Sequence, residues 1–240
     1  MPTHPEIYTA LQKGEITPHG QFLNGSNYTF LALVTHGALE VQAVYKPARG
    51  EQPLWDFPTG SLGKREAAAY LLSEALGWSL VPPTVFRRRA PLGAGSLQLF
   101  IPHKPSRHYF TLTPTERQVL RPAALFDLLA NNADRKGGHL IFDPSGKIWL
   151  IDQGLCFHTE DKLRTVIWDF AGEEIPVPLL QDIQRFLAEV SSEGELRQEL
   201  SRLLSPAEIA ALARRARRLL NDPHFPQQPK DRRSFPWPPV

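Results

Sequence analysis

Two aspartates in the middle of this sequence have the types and spacing for chemistry. They lie in LFDLLANNADRKGGHLIFDPSGKIWLIDQGLCFH, residues 125–158. A helix runs into Asn131-Asn132-Ala133-Asp134, and a short strand, His139–Phe142, follows. The turn Asp143-Pro144-Ser145-Gly146 reverses the chain, and a second strand, Ile148–Ile151, delivers Asp152-Gln153-Gly154. A hairpin returns its two ends to one place, so Asp134 and His139 are expected beside Asp152. Taken singly, Asp134 is a turn aspartate and Asp-x-Gly a frequent turn. As a pair they suit phosphoryl transfer. That chemistry needs a carboxylate to orient or deprotonate the attacking hydroxyl, ligands for the Mg²⁺ ions on a triphosphate, and a lysine on the phosphates. Asp134 fits the first role and Asp152 the second. Lys46, closing a strand just before Pro47, fits the third. Glu66, on the helix that follows, can hold Lys46; Glu74 competes for that role, and Lys64 and Arg65 compete as local partners of Glu66.

The elements that must position these residues are legible on either side. Residues 7–13 suit a short helical turn. The apolar runs Tyr28–Val34 and Leu39–Tyr45, separated by Thr35-His36-Gly37-Ala38, predict a hairpin. The Ala- and Leu-rich stretch 61–76 predicts a helix, with Gly77 at its C-terminal cap. Thr84–Arg88 and Ser96–Ile101 predict two more strands, joined by Pro91-Leu92-Gly93-Ala94-Gly95. Pro102 and Pro105 mark a linker. Beyond it, Thr113-Pro114-Thr115-Glu116 and Ser205-Pro206-Ala207-Glu208 both read as N-cap, Pro in the first turn, and a Glu three residues after the cap. They predict helices to Arg121 and to about Leu220. A helix over Ala123–Leu129 and one or two over residues 179–204 complete the second half. The end, residues 223–240, is proline-rich and is expected to be extended, draped on the surface by Phe235 and Trp237.

Asp134-Arg135 after a helix, followed by Ile151-Asp152-Gln153-Gly154-Leu155-Cys156-Phe157, resembles the catalytic and metal-binding loops of phosphatidylinositol 3-/4-kinases, above all small bacterial proteins related to them. The resemblance covers about residues 20–175 and takes in Tyr45-Lys46-Pro47 and the Glu66 helix, in the chain order that kinases use. It implies a two-lobed, α+β, protein-kinase-like fold: an antiparallel N-lobe with the Glu66 helix (1–101), a mostly helical C-lobe with the catalytic hairpin (102–222), and the tail (223–240). It implies ATP and Mg²⁺ or Mn²⁺ as cofactors. Asp134 would be the catalytic carboxylate, Asp152 the metal ligand, Lys46 the ATP lysine and Glu66 its partner. Gln98, Leu99, Phe100 and Ile101 would form the hinge that bonds adenine through backbone groups, and Ser26 and Asn27 would lie in the loop over the phosphates. Where the family has a metal-binding Asn, five residues after the catalytic Asp, this chain has His139, which would be the second metal ligand beside Asp152, would favour Mn²⁺, or would only hydrogen-bond a phosphate. Imidazole prefers softer metals than Mg²⁺, so a nucleotide-binding scaffold without turnover is the rival to an active kinase.

The remaining features set bounds. The hydrophobic share is 42%, enough for a core, and the formal net charge is +2, so the chain lacks the concentrated charge of a nucleic-acid binder. The run Arg214-Arg215-Ala216-Arg217-Arg218 reads as a solvated helix face. A single cysteine, Cys156, excludes an internal disulfide and suits a reducing cytoplasm. The N-terminus lacks the layout of a signal peptide, and no apolar run reaches the roughly 20 residues of a membrane span. The acceptor hydroxyl, whether of a lipid, a protein or a small molecule, is left open; Lys162 and Arg164 are the only cations in the stretch after Asp152 that would select it. Asp169 is a candidate carboxylate near the substrate. Cys156 and Phe157 are expected in the core, as are Trp55, Trp78, Trp149 and Trp168.

Overall fold

The computed structural model describes residues 3–22 and 28–240, so Ser26 and Asn27 lie outside the described residues. Helix α1 (His4–Lys13) precedes three strands: β1 (Glu15–Phe22), β2 (Thr29–His36) and β3 (Leu39–Pro47). Helix α2 (Leu62–Ala75) follows, then β4 (Thr84–Arg87) and β5 (Gly95–Leu99). Among the described residues the sheet is antiparallel throughout, in the order β1-β2-β3-β5-β4. In β3 the side chains of Val41, Ala43 and Tyr45 point inward at a period of two, and they pack with Leu11, Val34, Val85 and Leu97. Gly77, at φ +72°, caps α2 as expected.

Strand β1 was not legible in the sequence. Its residues, EITPHGQF, hardly alternate, and only Ile16 is buried. It is an edge strand with a bulge between Pro18 and Gly20, where a missing N–H costs little. Helix α1 also starts earlier than residue 7, because Thr3 and Glu6 form a capping box with Pro5 in the first turn.

The second half is helical around one hairpin. After α3 (Pro114–Arg117), capped by Thr113 and Glu116, the chain tightens into a single 3₁₀ turn instead of continuing to Arg121 as one helix. Helix α4 (Arg121–Ala130) restarts with Pro122 in its first turn and ends at Asn131, which takes the left-handed conformation (φ 53°). Strands β6 (Leu140–Phe142) and β7 (Ile148–Leu150) form the expected hairpin, with Leu140 opposite Leu150. Helices α5 (Val177–Ser191), α6 (Glu195–Ser201) and α7 (Pro206–Asn221) close the fold. Helix α2 belongs to both parts: Ala68, Ala69, Leu72 and Leu76 join the apolar cluster built from α4, α5 and α7, while α2 also packs on β4 and β5. The tail is held by its backbone and by buried Ser234. The Ser234 carbonyl accepts from Thr165 N–H and the Pro239 carbonyl from Gly137 N–H. Phe235 and Trp237, the expected anchors, are exposed.

One buried ion pair ties the hairpin to the helices. Arg135 and Asp127 are both 0% exposed, with Nη2 to Oδ1 at 2.9 Å and Nε also on the carboxylate. Removing one partner of such a pair leaves an uncompensated charge in the core. Asp127→Ala is therefore expected to lower the unfolding free energy by about 3–5 kcal/mol. Urea denaturation checks this, and a loss below about 1 kcal/mol, the value for an exposed pair, would contradict it.

Candidate active site

Lys46 is the penultimate residue of β3, with its backbone paired to Ser96 in β5. Its Nζ lies 2.6 Å from Glu66 Oε1 and 3.0 Å from Asp152 Oδ1. The sheet, helix α2 and the far end of the hairpin thus converge on one ammonium group. Glu66 is 3% exposed and is the partner on α2. Its rivals are otherwise engaged: Glu74 stands by His4, and Arg65 binds Glu208 and the Cys156 carbonyl. Burial works against charge on Lys46, but the Asp152 and Glu66 carboxylates outweigh it and raise its pKa.

Asp152 directly follows the hairpin, where Ile151 N–H bonds the His139 carbonyl at 3.0 Å. Its φ of +61° is left-handed, an uncommon state for a residue other than glycine that costs roughly 1 kcal/mol. Lys46 holds the Asp152 carboxyl well below the usual carboxylate range against the opposing effect of burial, with His139 contributing. The side chain is 51% exposed, so an ionised oxygen remains accessible. His139 Nε2 is 3.3 Å from Asp152 Oδ2. Burial drives the His139 pKa down to about 4, against the pull of Asp152. The ring is therefore neutral at pH 7. Lys136 N–H faces its Nδ1 at 3.4 Å, which places the ring proton on Nε2, toward Asp152.

Asp134 sits in the loop between α4 and the hairpin. Its N–H bonds Asn132 Oδ1 at 2.9 Å, and its carboxylate pairs with Lys136 at 3.3 Å. Burial raises its pKa, with Lys136 opposing and the nearby Asp152 charge adding to the rise. A carboxyl moved upward toward neutrality is better matched to accepting a proton from a hydroxyl. Arg135, its neighbour, donates to Asp127, to the Ile151 carbonyl (2.9 Å) and to Gln153 Oε1 (2.8 Å). One guanidinium therefore fixes the residues on both sides of Asp152. Sequence reading passed over Asp127 and Gln153. The usable signal was a lone aspartate in the apolar helix Leu125-Phe126-Asp127-Leu128-Leu129.

The expected hinge is brought alongside, with its backbone mostly in use. Leu99 N–H bonds the Pro83 carbonyl and Phe100 N–H the Gln42 carbonyl. The Gln98 side chain bonds Thr84. Among the described residues, Ile101 N–H donates to no backbone carbonyl. Ile101 packs with Ile141, Trp149 and Leu99 in an apolar cluster that also includes Ile151. Ser26 and Asn27 fall outside the described residues. Asp169 is structural: it pairs with Arg117 and accepts from Tyr109 Oη. Lys162 is taken by Asp56 and Glu160. Trp55, expected to pack, is 90% exposed with Lys162 above its ring; Cys156 and Phe157 are buried as expected. Among the described residues, no three His, Cys, Asp or Glu side chains stand together as a metal cage. Asp152 is the carboxylate here that could hold a divalent ion, and it would not do so as part of an all-protein cage.

No protein-family model matches the chain. It is 39% identical to protein Rv2133c of Mycobacterium tuberculosis over an alignment of 273 residues, spanning 99% of this chain and 97% of that protein. The fold is similar to that of hydra Fam20, solved with sugar, at a TM-score of 0.56 and 18% identity, over 90% of this chain and 87% of that one. It is similar also to the Golgi casein kinase with Mn/ADP bound, at a TM-score of 0.56 and 17% identity, over 91% of this chain and 74% of that one. The fold is thus α+β and protein-kinase-like, as the sequence implied, and among the described residues no helix is long and apolar enough to cross a membrane. The chain belongs to the family of the mycobacterial protein Rv2133c.

Between pH 6.5 and 4, His139 takes up a proton when the chain unfolds and not while it is folded, so stability falls as pH drops through that window. The full effect is on the order of 3 kcal/mol. In metal-free buffer, His139→Gln is expected to flatten this part of the pH–stability curve; an unchanged slope would mean that His139 titrates normally.

Proposed function

We propose, on the premise of that family and fold, that this chain is an ATP- and divalent-metal-dependent phosphotransferase acting on a hydroxyl group. The observation that carries the reading is the cross-fold contact of Lys46 with both Glu66 and Asp152. A lysine held by a buried carboxylate on a helix, beside a carboxylate at a strand end, is the set that phosphoryl transfer needs around a triphosphate. Residues 1–101 would serve as the nucleotide-binding N-lobe and 102–222 as the C-lobe, with the tail strapped to the latter. The segment Ile151–Phe157 supports a relation to phosphatidylinositol 3-/4-kinases, whereas the acceptor, lipid, protein or small molecule, is not assigned. The single buried cysteine supports a reducing compartment such as the cytoplasm.

In this reading Lys46 binds the phosphates, and Glu66 keeps its Nζ in place. Adenine lies against the apolar side chains near Leu99 and Ile101, with Ile101 N–H, which donates to no backbone carbonyl among the described residues, as its backbone donor. Ser26 and Asn27 belong to the segment expected over the phosphates. Asp152 would hold Mg²⁺ or Mn²⁺, and His139 Nε2 could join it only by giving up the proton now directed at Asp152. A divalent ion, when bound, supplies neutralisation of the triphosphate charge. Asp134 orients the acceptor hydroxyl and takes its proton, while Lys136 holds the carboxylate and Asn132 Oδ1 holds the Asp134 backbone N–H. Most of the acceleration comes from positioning and electrostatics.

The proton on His139 Nε2 also favours a second reading, a protein that binds nucleotide without turning it over. ADP formation with Mg²⁺ and with Mn²⁺ separates the two. Turnover is expected in the wild type and is expected to fall roughly 10²- to 10⁴-fold in Asp134→Asn, with nucleotide binding retained. Tight ATP binding with no turnover in either metal would leave the second reading standing.

A further inference from the structure

Arg214, Arg217 and Arg218 of the run on α7 lie on the solvated face that the sequence suggests, and one arginine departs from it. Arg215 turns inward. Its Nε donates to the Leu129 carbonyl at 2.7 Å and its Nη1 to the His158 carbonyl at 3.2 Å. Its Nη2 is buried and has no hydrogen-bond partner among the described residues. Thr159, Asp161, Arg214, Arg215 and Arg218 line a cavity of about 280 Å³. A neighbouring one of about 230 Å³ adds Arg232. Asp161, the carboxylate shared by both cavities, already pairs with Arg232 at 3.0 Å. Asp222, on a third cavity beside Arg215 and Arg218, is bonded by His224. Among the described residues Arg214, Arg215 and Arg218 form no ion pair. Desolvation, with the charges of Arg218 and Arg214, pushes the Arg215 pKa down to about 10 against the opposing pull of Asp161.

A residue with a buried, unmatched guanidinium N–H, lining a cavity ringed by further guanidinium groups, fits a tetrahedral oxyanion. Planar forked donors bind phosphate through paired, charge-assisted bonds. We propose that this cavity binds a phosphate group through Arg214, Arg215 and Arg218. Arg215 already ties the end of α4, just before Asp134, to His158, just after the Asp152 segment. A phosphate on its free Nη2 would close a clamp between the two halves of the candidate active site.

The phosphate could be free in solution or an ester on Thr159, which lines the same cavity. The ester would form by transfer of the γ-phosphoryl group of ATP to Thr159 Oγ, with ADP leaving and the hydroxyl proton released. Only this second source rests on the phosphotransferase reading.

The test uses the full chain carrying Thr159→Ala, which cannot be esterified there, titrated with inorganic phosphate at constant ionic strength. A saturating rise in melting temperature is expected, as for any ligand that binds only the folded state. Adding Arg214→Ala and Arg218→Ala, two exposed positions that hold no backbone, is expected not to lower the phosphate-free melting temperature and to abolish the rise. No saturating rise with Thr159→Ala alone would overturn the proposal. So would a rise that survives the arginine substitutions, since the phosphate would then sit elsewhere, as at Lys46. Mass spectrometry of the wild type, before and after incubation with ATP and metal, identifies the source. A phosphoryl group on Thr159 assigns the covalent form, and its absence assigns the free ligand. Failure of ATP turnover leaves the phosphate titration intact, so the two readings fail separately.

Discussion

The buried pair between Arg135 and Asp127 is the constraint on which the candidate site depends. Neither side chain touches solvent. Charges so placed are tolerated only when nearly every donor and acceptor is used. Here they are: the guanidinium also takes the Ile151 carbonyl and Gln153 Oε1, and Thr165 donates to Asp127. The loop carrying Asp134, the strand end carrying Asp152 and the segment after it are therefore held by one network. Asp152 can sit in a left-handed conformation because its neighbours on both sides are fixed.

A second set of contacts sets the sheet against this network. Lys46 reaches Glu66 on α2 and Asp152 beyond the hairpin. Arg65, the residue before Glu66, reaches the Cys156 carbonyl and Glu208 on α7. Helix α2 thus holds the lysine on one side and is anchored to the helical part on the other. Helix α7 returns to the same region through Arg215. The electrostatics follow from this packing: Asp152 is kept ionised by Lys46, Asp134 is pushed toward neutrality by burial, and His139 is kept neutral by burial.

Much of this was legible in the sequence, for physical reasons that differ by element. The hairpin over 139–151 was readable because apolar runs flank a turn cluster, and it brought His139 to Asp152. Glu66 was readable as the lysine's partner from chain order and helix placement. The capping boxes at Thr113 and Ser205 were readable because their chemistry is local. Strand β1 was not, since an exposed edge strand needs no alternation. The break after Arg117 was missed, although Pro122 cannot continue a helix that begins at Pro114. The roles of Asp127 and Arg215 were hidden because both depend on long-range contacts. Periodicity shows that a helix has an apolar face, and says nothing of which charged residue turns into it.

The central claim is that Asp152 holds a divalent ion together with nucleotide beside Lys46. ATP-dependent Mn²⁺ binding, read by electron paramagnetic resonance, tests it directly. The account predicts Mn²⁺ bound only when ATP is present, with Asp152→Asn abolishing the bound signal. Mn²⁺ binding that ignores ATP, or that survives Asp152→Asn, would contradict it.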